Sequence, residues 1–386
     1  MPLAVPIAWL QLKREKLRLA VALAGVAFAV VLIFMQLGFQ DALFQSSVRY
    51  HENLRYDVAI VSKKMDFIVQ PESFSRRRLY QALATPGVEA VTPLYLGLGR
   101  WSNPVAPGDT RAIFVLGFDP SSRVFDLPGI EAHRDTLKLP DVVLYDEASR
   151  PEFGPIPALF RASQSGVETE VANRRVRVAG LFTLGTSFGI DASIVTSDLN
   201  FRRIFPQRAP GMIDLGLVHL APGADPERVR EAIAARLPED VEVLTRAGFV
   251  QREVDYWTGS TPIGYVFSFG VIMGLTVGGI IVYQILFSDV SEHLREYATL
   301  KAMGYTDGQL FRIVLQEALL LAVMGFLPGL VASLLLYRAA GEATRLPLAM
   351  SPELGGVVFA MTAAMCGVSG AIALRKVRSA DPAEVF

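Results

Sequence analysis

The sequence predicts an integral membrane α-helical protein with four transmembrane helices and a large extracytoplasmic α/β (α+β) domain between helices 1 and 2. Three observations lead to this prediction. Four apolar runs are each long enough to cross the hydrocarbon core of a bilayer, which takes about 20 residues. Residues 41–260, between the first two runs, hold most of the charged residues and prolines and alternate strand-like with helix-like patterns. Basic residues flank the runs in a way that fits one orientation.

Composition excludes several classes of function. The 386 residues include 37 basic and 38 acidic side chains, so no net field attracts nucleic acid, and none is expected as a partner. Cys366 is the one cysteine, which rules out disulfides within a chain. Gly-Lys-Ser/Thr and His-Glu-x-x-His motifs do not occur. We therefore expect a non-catalytic chain with no metal and no cofactor of its own, in which His51 and Glu52 are a solvated pair.

The chain begins with an expected interfacial helix. Residues 1–18 combine Trp9 with four basic residues, as is typical of segments at lipid headgroups. Residues 19–40 are the first predicted transmembrane helix. Alanines with the spacing of a signal-peptidase site (Ala20, Ala22, Ala24) lie at the start of this run and not after it, so we expect the helix to remain uncleaved.

Residues 41–260 form the predicted external domain. Two β-α-β arms are expected, and they flank a middle that is rich in short strands. We interpret the first strand, YDVAIV, as half-buried, and Ser75 as the cap of the helix that follows it. The predicted elements are Tyr56–Val61, Ser75–Leu83, Val88–Pro93, Ala112–Gly117, Val142–Tyr145, Val176–Phe182, Ile213–Leu220, Asp225–Leu237 and Val241–Leu244.

The remaining segments fix the expected topology. Residues 261–288, 313–337 and 354–374 are the second, third and fourth transmembrane helices, with a short external loop at 338–353 and a tail at 375–386. The N-terminal segment, the loop at 289–312 and the tail all carry Lys and Arg. By the positive-inside rule these three segments, with both termini, are cytoplasmic, and the domain at 41–260 is periplasmic.

The loop at 289–312 holds the most specific pattern. Val290, Leu294 and Tyr297 have the spacing of one helical face, and Gly304 ends that helix because glycine accepts the left-handed backbone of a C-terminal cap. Thr306 and Gln309 have the spacing of a capping box, which predicts the start of the next helix. A solvated loop helix would give the same pattern. Because a simple connector would be shorter, we expect this helix to lie on the membrane surface and to contact a cytoplasmic partner.

Two features lie within the predicted spans. Gly270, Gly274 and Gly278 are spaced by four, which favours close helix packing, although glycine is also common in membrane helices. Glu317 lies near the cytoplasmic start of the third span, close to Arg312, where we expect it to reach the interface or to pair.

The loop resembles that of the MacB/FtsX/LolC-like permeases of the mechanotransmission (type VII) ABC exporter superfamily. The matching motif is Glu-x-x-x-Leu-Lys-Ala-x-Gly, here Glu296, Leu300, Lys301, Ala302 and Gly304. Tyr297 and Ala298 replace the commoner Ile-Gly, as in the DevC permeases. Segments that resemble DevC extend over nearly the whole chain: FQDALFQSS, SFSRRRLYQAL, LGFDP, LKLPDVVL, SRPEFGPI, VAGLFTLG, STPIGY, IVYQILFSDV and EYATLKAMGYTD.

The resemblance implies a homodimeric permease in the bacterial inner membrane. It implies a cytoplasmic ABC ATPase (DevA-like) that uses ATP and Mg²⁺, a periplasmic membrane-fusion adaptor (DevB/HlyD-like) and a TolC-like outer-membrane channel. The cargo implied is a lipid-like molecule such as a glycolipid. The implied ATPase-coupling helix comprises Val290, Leu294, Glu296, Tyr297, Leu300, Lys301, Ala302, Met303, Gly304 and Tyr305, with a second ATPase contact at Asp381 and Pro382.

Three other interpretations fit part of the pattern. An FtsX-like transmitter that regulates an envelope hydrolase needs only a smaller external domain than residues 41–260. The size of the domain therefore favours an exporter. A lipoprotein-releasing permease shares the loop motif but should match less well along the domain. A membrane-anchored enzyme would need a catalytic constellation, for which the sequence has no candidate.

Overall fold

The computed structural model describes residues 16–163 and 166–374, without the side chains of Leu294, Leu300 and Asp307. The chain divides into two compact units. The domain unit consists of Leu43–Thr261 and Glu342–Pro347, and the membrane unit lies within Met1–Ala42, Pro262–Gly341 and Leu348–Phe386. Helix α1 (Lys16–Asn53) contributes residues to both.

The domain unit is built of strands with short helices between them. Its strands are β1 (Val58–Ser62), β2 (Phe74–Ser75), β3 (Val88–Asn103), β4 (Ala106–Phe118), β5 (Val142–Asp146), β6 (Val167–Val171), β7 (Arg174–Phe182), β8 (Ser193–Ser197), β9 (Met212–Ile213), β10 (Leu215–Leu220) and β11 (Val241–Thr245). Its helices are α2 (Arg77–Leu83), α3 (Pro128–Ala132), α4 (Ile156–Ala162), α5 (Asp198–Ile204), α6 (Pro226–Ala234) and α7 (Arg246–Asp255). Two 3₁₀ turns (Thr136–Lys138, Pro151–Phe153) and one π turn (Tyr256–Ser260) complete it.

The two predicted β-α-β arms interleave in one sheet. Strands run in the order β11-β1-β10-β3, all antiparallel, so that each arm separates the two strands of the other. Helices α2 and α6 cover one face of this part of the sheet. The order and the two crossovers are those of a ferredoxin-like split β-α-β unit.

The middle of the domain continues the same sheet. Strand β3 runs on past the arms and forms a long hairpin with β4, and the order continues as β8-β5-β7-β6. Strand β6 then pairs with β3 at Val171 and Trp101, which closes this part of the sheet on itself. Trp101 is fully buried and its indole N–H donates to the Phe153 carbonyl at 3.0 Å, so the closure leaves no unsatisfied donor there.

Two local predictions for the domain were wrong. β1 is buried on both faces: Val58 and Ile60 join the core under α2 and α6, while Ala59 and Val61 pack on the other side. The end of α1 and helix α7 cover that second face, which a sequence window of one strand does not reveal. Ser75 lies in the short strand β2 and does not cap α2; its hydroxyl accepts from the Arg77 N–H at a long 3.4 Å.

The membrane unit contains α8 (Pro262–Glu292), α9 (Leu294–Ala302), α10 (Asp307–Thr344) and α11 (Pro352–Ala373) besides the start of α1. Within the described ranges, four helices are long and apolar enough to cross a membrane: Lys16–Asn53, Pro262–Glu292, Gly308–Thr344 and Pro352–Ala373. Their contact faces form one apolar core. Two hydroxyls link neighbouring helices: Tyr337 donates to the Phe34 carbonyl at 2.6 Å, and Ser369 donates to the Gly279 carbonyl at 2.9 Å.

Helix bounds differ from the predicted segments at their polar ends. α8 runs on to Glu292 and α10 begins at Asp307, so the link between them that includes α9 is shorter than 289–312. Part of the predicted loop at 338–353 belongs to the domain unit, where the Thr186 hydroxyl donates to the Arg345 carbonyl at 2.9 Å. Hydropathy locates the apolar centre of a helix but not its end, because a helix can continue into water.

Candidate functional site

The candidate site is α9 with the ends of α8 and α10 that flank it. α8 stops at Glu292, and α9 starts two residues later, at Leu294. At its other end Gly304 adopts the left-handed backbone, with φ +95°, which lets the chain turn at once. The Thr306 N–H then donates to the side-chain Oε1 of Gln309 at 2.8 Å, and α10 begins. Glycine and capping residues thus isolate a single short helix between two long ones.

The inner face of α9 is apolar and buried. Tyr297 and Ala298 are buried, and Tyr297 packs with Val290 of α8, Leu310 and Val314 of α10, and Leu374. Val290 and Tyr297 can therefore support the helix but have no free surface to offer to a partner. This cluster is separate from the larger apolar core of the membrane unit.

Beneath Tyr297 the unit holds an uncompensated polar group. Glu317 is fully buried, and neither of its carboxyl oxygens has a hydrogen-bond partner among the described residues. Of the two expectations, that Glu317 reaches the interface or that it pairs there, the first is wrong, because its side chain is fully buried inside the unit. The Tyr297 hydroxyl also has no partner in the part of the chain that the structure describes. Burial, and then the neighbouring carboxyl groups of Glu317 and Asp289, raise the pKa of Tyr297, so the phenol stays neutral.

Replacing Tyr297 by phenylalanine is expected to leave the protein at least as stable as the parent. The change keeps the packing ring and removes a buried hydroxyl that makes no hydrogen bond, a group that costs about 1–3 kcal/mol to bury. Tyr337→Phe is the matched control: it removes a hydroxyl that does donate, to Phe34, and should lower stability. Thermal unfolding of both variants in one detergent checks this, and a larger loss for Tyr297→Phe than for Tyr337→Phe would mean that the Tyr297 hydroxyl is bonded.

The outer face of α9 is open. Arg295, Glu296, Thr299 and Ala302 are exposed. Met303, just beyond the helix, has 65% of its side chain exposed, and Tyr305 has 41%. Lys301 is partly exposed, and the side chains of Leu294 and Leu300 are not described. A short helix that is anchored by one aromatic ring and exposes a mixed charged and apolar surface is suited to bind another protein.

An exposed ion pair joins α8 to the start of α1. Arg18 donates to both carboxyl oxygens of Glu292, at 2.6 and 2.5 Å. The two side chains are 44% and 45% exposed, so the pair contributes little to stability. It does fix the end of α8 one residue before the turn into α9.

The three spaced glycines lie against α1. A Cβ added to Gly270 would come 2.3 Å from Gln36, and one added to Gly274 would come 3.2 Å from Ile33. At Gly278 it would come 2.5 Å from the Ala29 methyl and 2.7 Å from the Met365 sulfur. The glycines therefore permit close approach of α8 to α1 within one chain. The predicted C-terminal contact, Asp381 and Pro382, lies outside the described residues.

Comparison with known families identifies the class. Residues 19–236 match the family model of the MacB-like periplasmic core domain, and residues 268–382 match that of the FtsX-like permease C-terminal region. The chain is a permease of the MacB/FtsX-like family. It is accordingly a multi-pass inner-membrane protein of the ABC transporter class with a periplasmic core domain.

Two solved structures are similar to the domain of this MacB/FtsX-like permease. The periplasmic region of MacB from Actinobacillus actinomycetemcomitans is 11% identical and covers 54% of this chain and 96% of its own, with a TM-score of 0.35. The extracellular domain of the noncanonic ABC-type transporter YknZ from Gram-positive bacteria is 12% identical and covers 49% and 99%, with a TM-score of 0.35. No curated protein matches the chain.

Proposed function

We propose that this permease couples a separate cytoplasmic ABC ATPase to its periplasmic domain, and that α9 is the helix which the ATPase grips. One observation carries the proposal: α9 is anchored by Tyr297 on its inner face, while Glu296, Met303 and Tyr305 remain exposed. A helix held in this way passes a push on its outer face to α8 and α10 through the Val290, Leu310 and Val314 contacts. ATP and Mg²⁺ are bound by the partner and not by this chain.

The orientation follows from charge and span count. A chain that crosses the membrane four times has α9 and both termini on one side and the domain between α1 and α8 on the other. Among the short segments that flank the spans, the two terminal segments and the α9 loop carry ten Lys and Arg residues, and the segment at 338–353 carries two. This difference favours the cytoplasm for the side that holds α9 and both termini.

The apolar interior of the membrane unit favours a mechanism in which the spans move over one in which solutes pass through a pore. Large aliphatic and aromatic side chains, such as Ile33, Phe34, Leu321 and Phe326, fill the core of the membrane unit. A hydrophilic pore through one protomer would need polar groups facing one another there. The spans instead act as levers, which requires that the ATPase bind two states of the permease unequally.

We propose further that the permease is of the DevC type. A homodimer would work with a DevA-like ATPase, a DevB/HlyD-like adaptor and a TolC-like channel, and would export a lipid-like cargo such as a glycolipid. The support is the set of DevC-like segments along the whole chain and the Tyr297-Ala298 pair in the loop motif. Purification of the tagged permease from its own membranes tests this: an ABC ATPase and an adaptor should co-elute, whereas an envelope hydrolase without an adaptor would favour a transmitter.

Single cysteines are expected to report the orientation. Asp119→Cys and Asp225→Cys, both at exposed positions of the domain, should react with an impermeant maleimide in cells whose outer membrane is permeabilised. Thr299→Cys, exposed on α9, should react only after the inner membrane is broken. The native Cys366 is buried and gives a low background. Labelling of Thr299→Cys in cells with an intact inner membrane would contradict a cytoplasmic α9.

A further inference from the structure

A buried histidine and a buried glutamate meet where the chain enters and leaves the domain unit. His51, near the end of α1, is completely buried, and Glu253, near the end of α7, is 1% exposed. The His51 Nε2 atom lies 3.7 Å from the Glu253 Oε2 atom, which is a close polar contact but not a hydrogen bond, and it has no hydrogen-bond partner in the described residues. The prediction of a solvated His51-Glu52 pair was wrong: Glu52 is exposed, and Glu253, two hundred residues later, faces the imidazole.

The Glu253 carboxylate connects three segments. Its Oε2 accepts the backbone N–H of Ile68 at 3.1 Å, and its Oε1 accepts the indole N–H of Trp257, in the π turn, at 3.1 Å. Trp257 lies five residues before α8 begins at Pro262. Glu253 therefore contacts both His51, in the helix that enters the domain from the first span, and Trp257, in the segment that leads to the second span.

A second set of contacts joins α1 and α7. Arg246, at the start of α7, donates from Nη2 to the carbonyls of His51 and Glu52 at 3.1 and 2.9 Å, and so satisfies the end of α1. Phe249, one turn further along α7, places its ring edge on the His51 imidazole with 4.4 Å between ring centroids. The contact of α1 with α7 is thus both polar and apolar.

A buried carboxylate is costly unless its charge is compensated. Ile68 and Trp257 supply neutral donors to Glu253, and the side chains of Arg246 and Arg252 are directed elsewhere, to α1 carbonyls and to Glu242 with the Met65 carbonyl. The His51 imidazole is a further polar group that faces Glu253, at 3.7 Å. A pair of apolar residues would pack α1 on α7 equally well. Because polar contacts are directional, the His51–Glu253 pair also restricts the relative position of the two helices.

We propose that the His51–Glu253 pair is the joint that makes the end of α1 and the α7–π-turn segment move together when the spans move. The proposal rests on the proposed function and names positioning residues for it. If the two segments could slide past one another, displacement of one span would be lost inside the domain, and ATP hydrolysis would continue without export.

The test uses the full-length permease reconstituted with its ATPase in proteoliposomes, with a fluorescently labelled glycolipid as the transported probe. His51→Leu removes the imidazole that faces Glu253, Glu253→Gln removes the carboxyl group, and His51→Gln keeps a polar side chain at position 51 and should restore part of the function. Thr196→Val is the control, because it removes a buried hydrogen bond of 2.7 Å to the Val142 carbonyl in β8, away from the joint. Cargo exported per ATP hydrolysed should fall roughly 2- to 30-fold in His51→Leu, the range of coupling changes that single residues cause, and should be unchanged in Thr196→Val.

Amide hydrogen exchange supplies a second measurement that needs no transport. Exchange at Ile68 and along α7 should become faster in His51→Leu and not in Thr196→Val. If His51→Leu leaves export per ATP unchanged, or leaves hydrogen exchange at Ile68 unchanged, the proposal that the pair is a joint is wrong. A parent that shows no ATP-driven export would contradict the proposed function alone, since exchange would still decide whether the pair holds the two segments together.

Discussion

Met303→Asp is expected to abolish binding of the ATPase while the permease itself stays folded. Met303 has 65% of its side chain exposed at the end of α9, so the free protein loses almost no packing when it is changed. In the complex, an apolar side chain at the centre of an interface can carry 2 kcal/mol or more, which corresponds to roughly a 30-fold weaker complex. A buried, unpaired carboxylate at the same place adds to that loss.

Val105→Asp is the matched control. Val105 has 57% of its side chain exposed on the turn between β3 and β4, in the periplasmic domain. The same change of chemistry there should leave ATPase binding at the parental level. The measurement is the amount of ATPase retained per permease after affinity purification, and equal retention by Met303→Asp and the parent would remove α9 as the docking helix.

Gly278→Leu is expected to cause the largest loss of stability within the membrane unit. A single added Cβ already comes within 2.5 Å of Ala29 on α1 and 2.7 Å of Met365 on α11, so both neighbouring helices must move. Overpacking of this kind costs about 1–3 kcal/mol for small insertions and more for a whole side chain. Thermal unfolding in detergent should show a marked decrease in melting temperature.

Gly279→Ala, at the next residue, separates crowding from a general effect of glycine. A Cβ at Gly279 makes ordinary contacts of 3.6 Å with Met365 and Ser369. Alanine also favours the helix over glycine by about 0.5–1 kcal/mol, so this variant should be as stable as the parent or slightly more so. If the two positions respond alike, close α1–α8 packing at Gly278 is not what stabilises the unit.

Much of the fold followed from short-range patterns. Apolar runs predicted the spans, and alternation with Gly and Pro breaks predicted strands such as Val142–Tyr145 and Val241–Leu244, which the structure has as β5 and β11. The sequence did not predict how the two arms interleave, nor that β6 returns to β3 at Trp101, because pairing of distant strands leaves no local signal.

The site was predictable in outline only. Gly304 predicted the end of α9 and the Thr306-Gln309 capping box predicted the start of α10, because helix caps depend on residues that are close in sequence. Which face of α9 is buried depends on Leu310, Val314 and Leu374, which come from elsewhere in the chain. For the same reason the sequence showed neither the buried state of Glu317 nor the pairing of His51 with Glu253.

Site-specific photo-cross-linking from α9 tests the central claim most directly. A photoreactive amino acid at Thr299, exposed on α9, should cross-link to an ABC ATPase subunit in intact cells, and the same probe at Val105 should not. The yield should depend on the nucleotide state of the ATPase, because a coupling contact must differ between two states. No ATPase adduct from Thr299, or an equal one from Val105, would contradict the account.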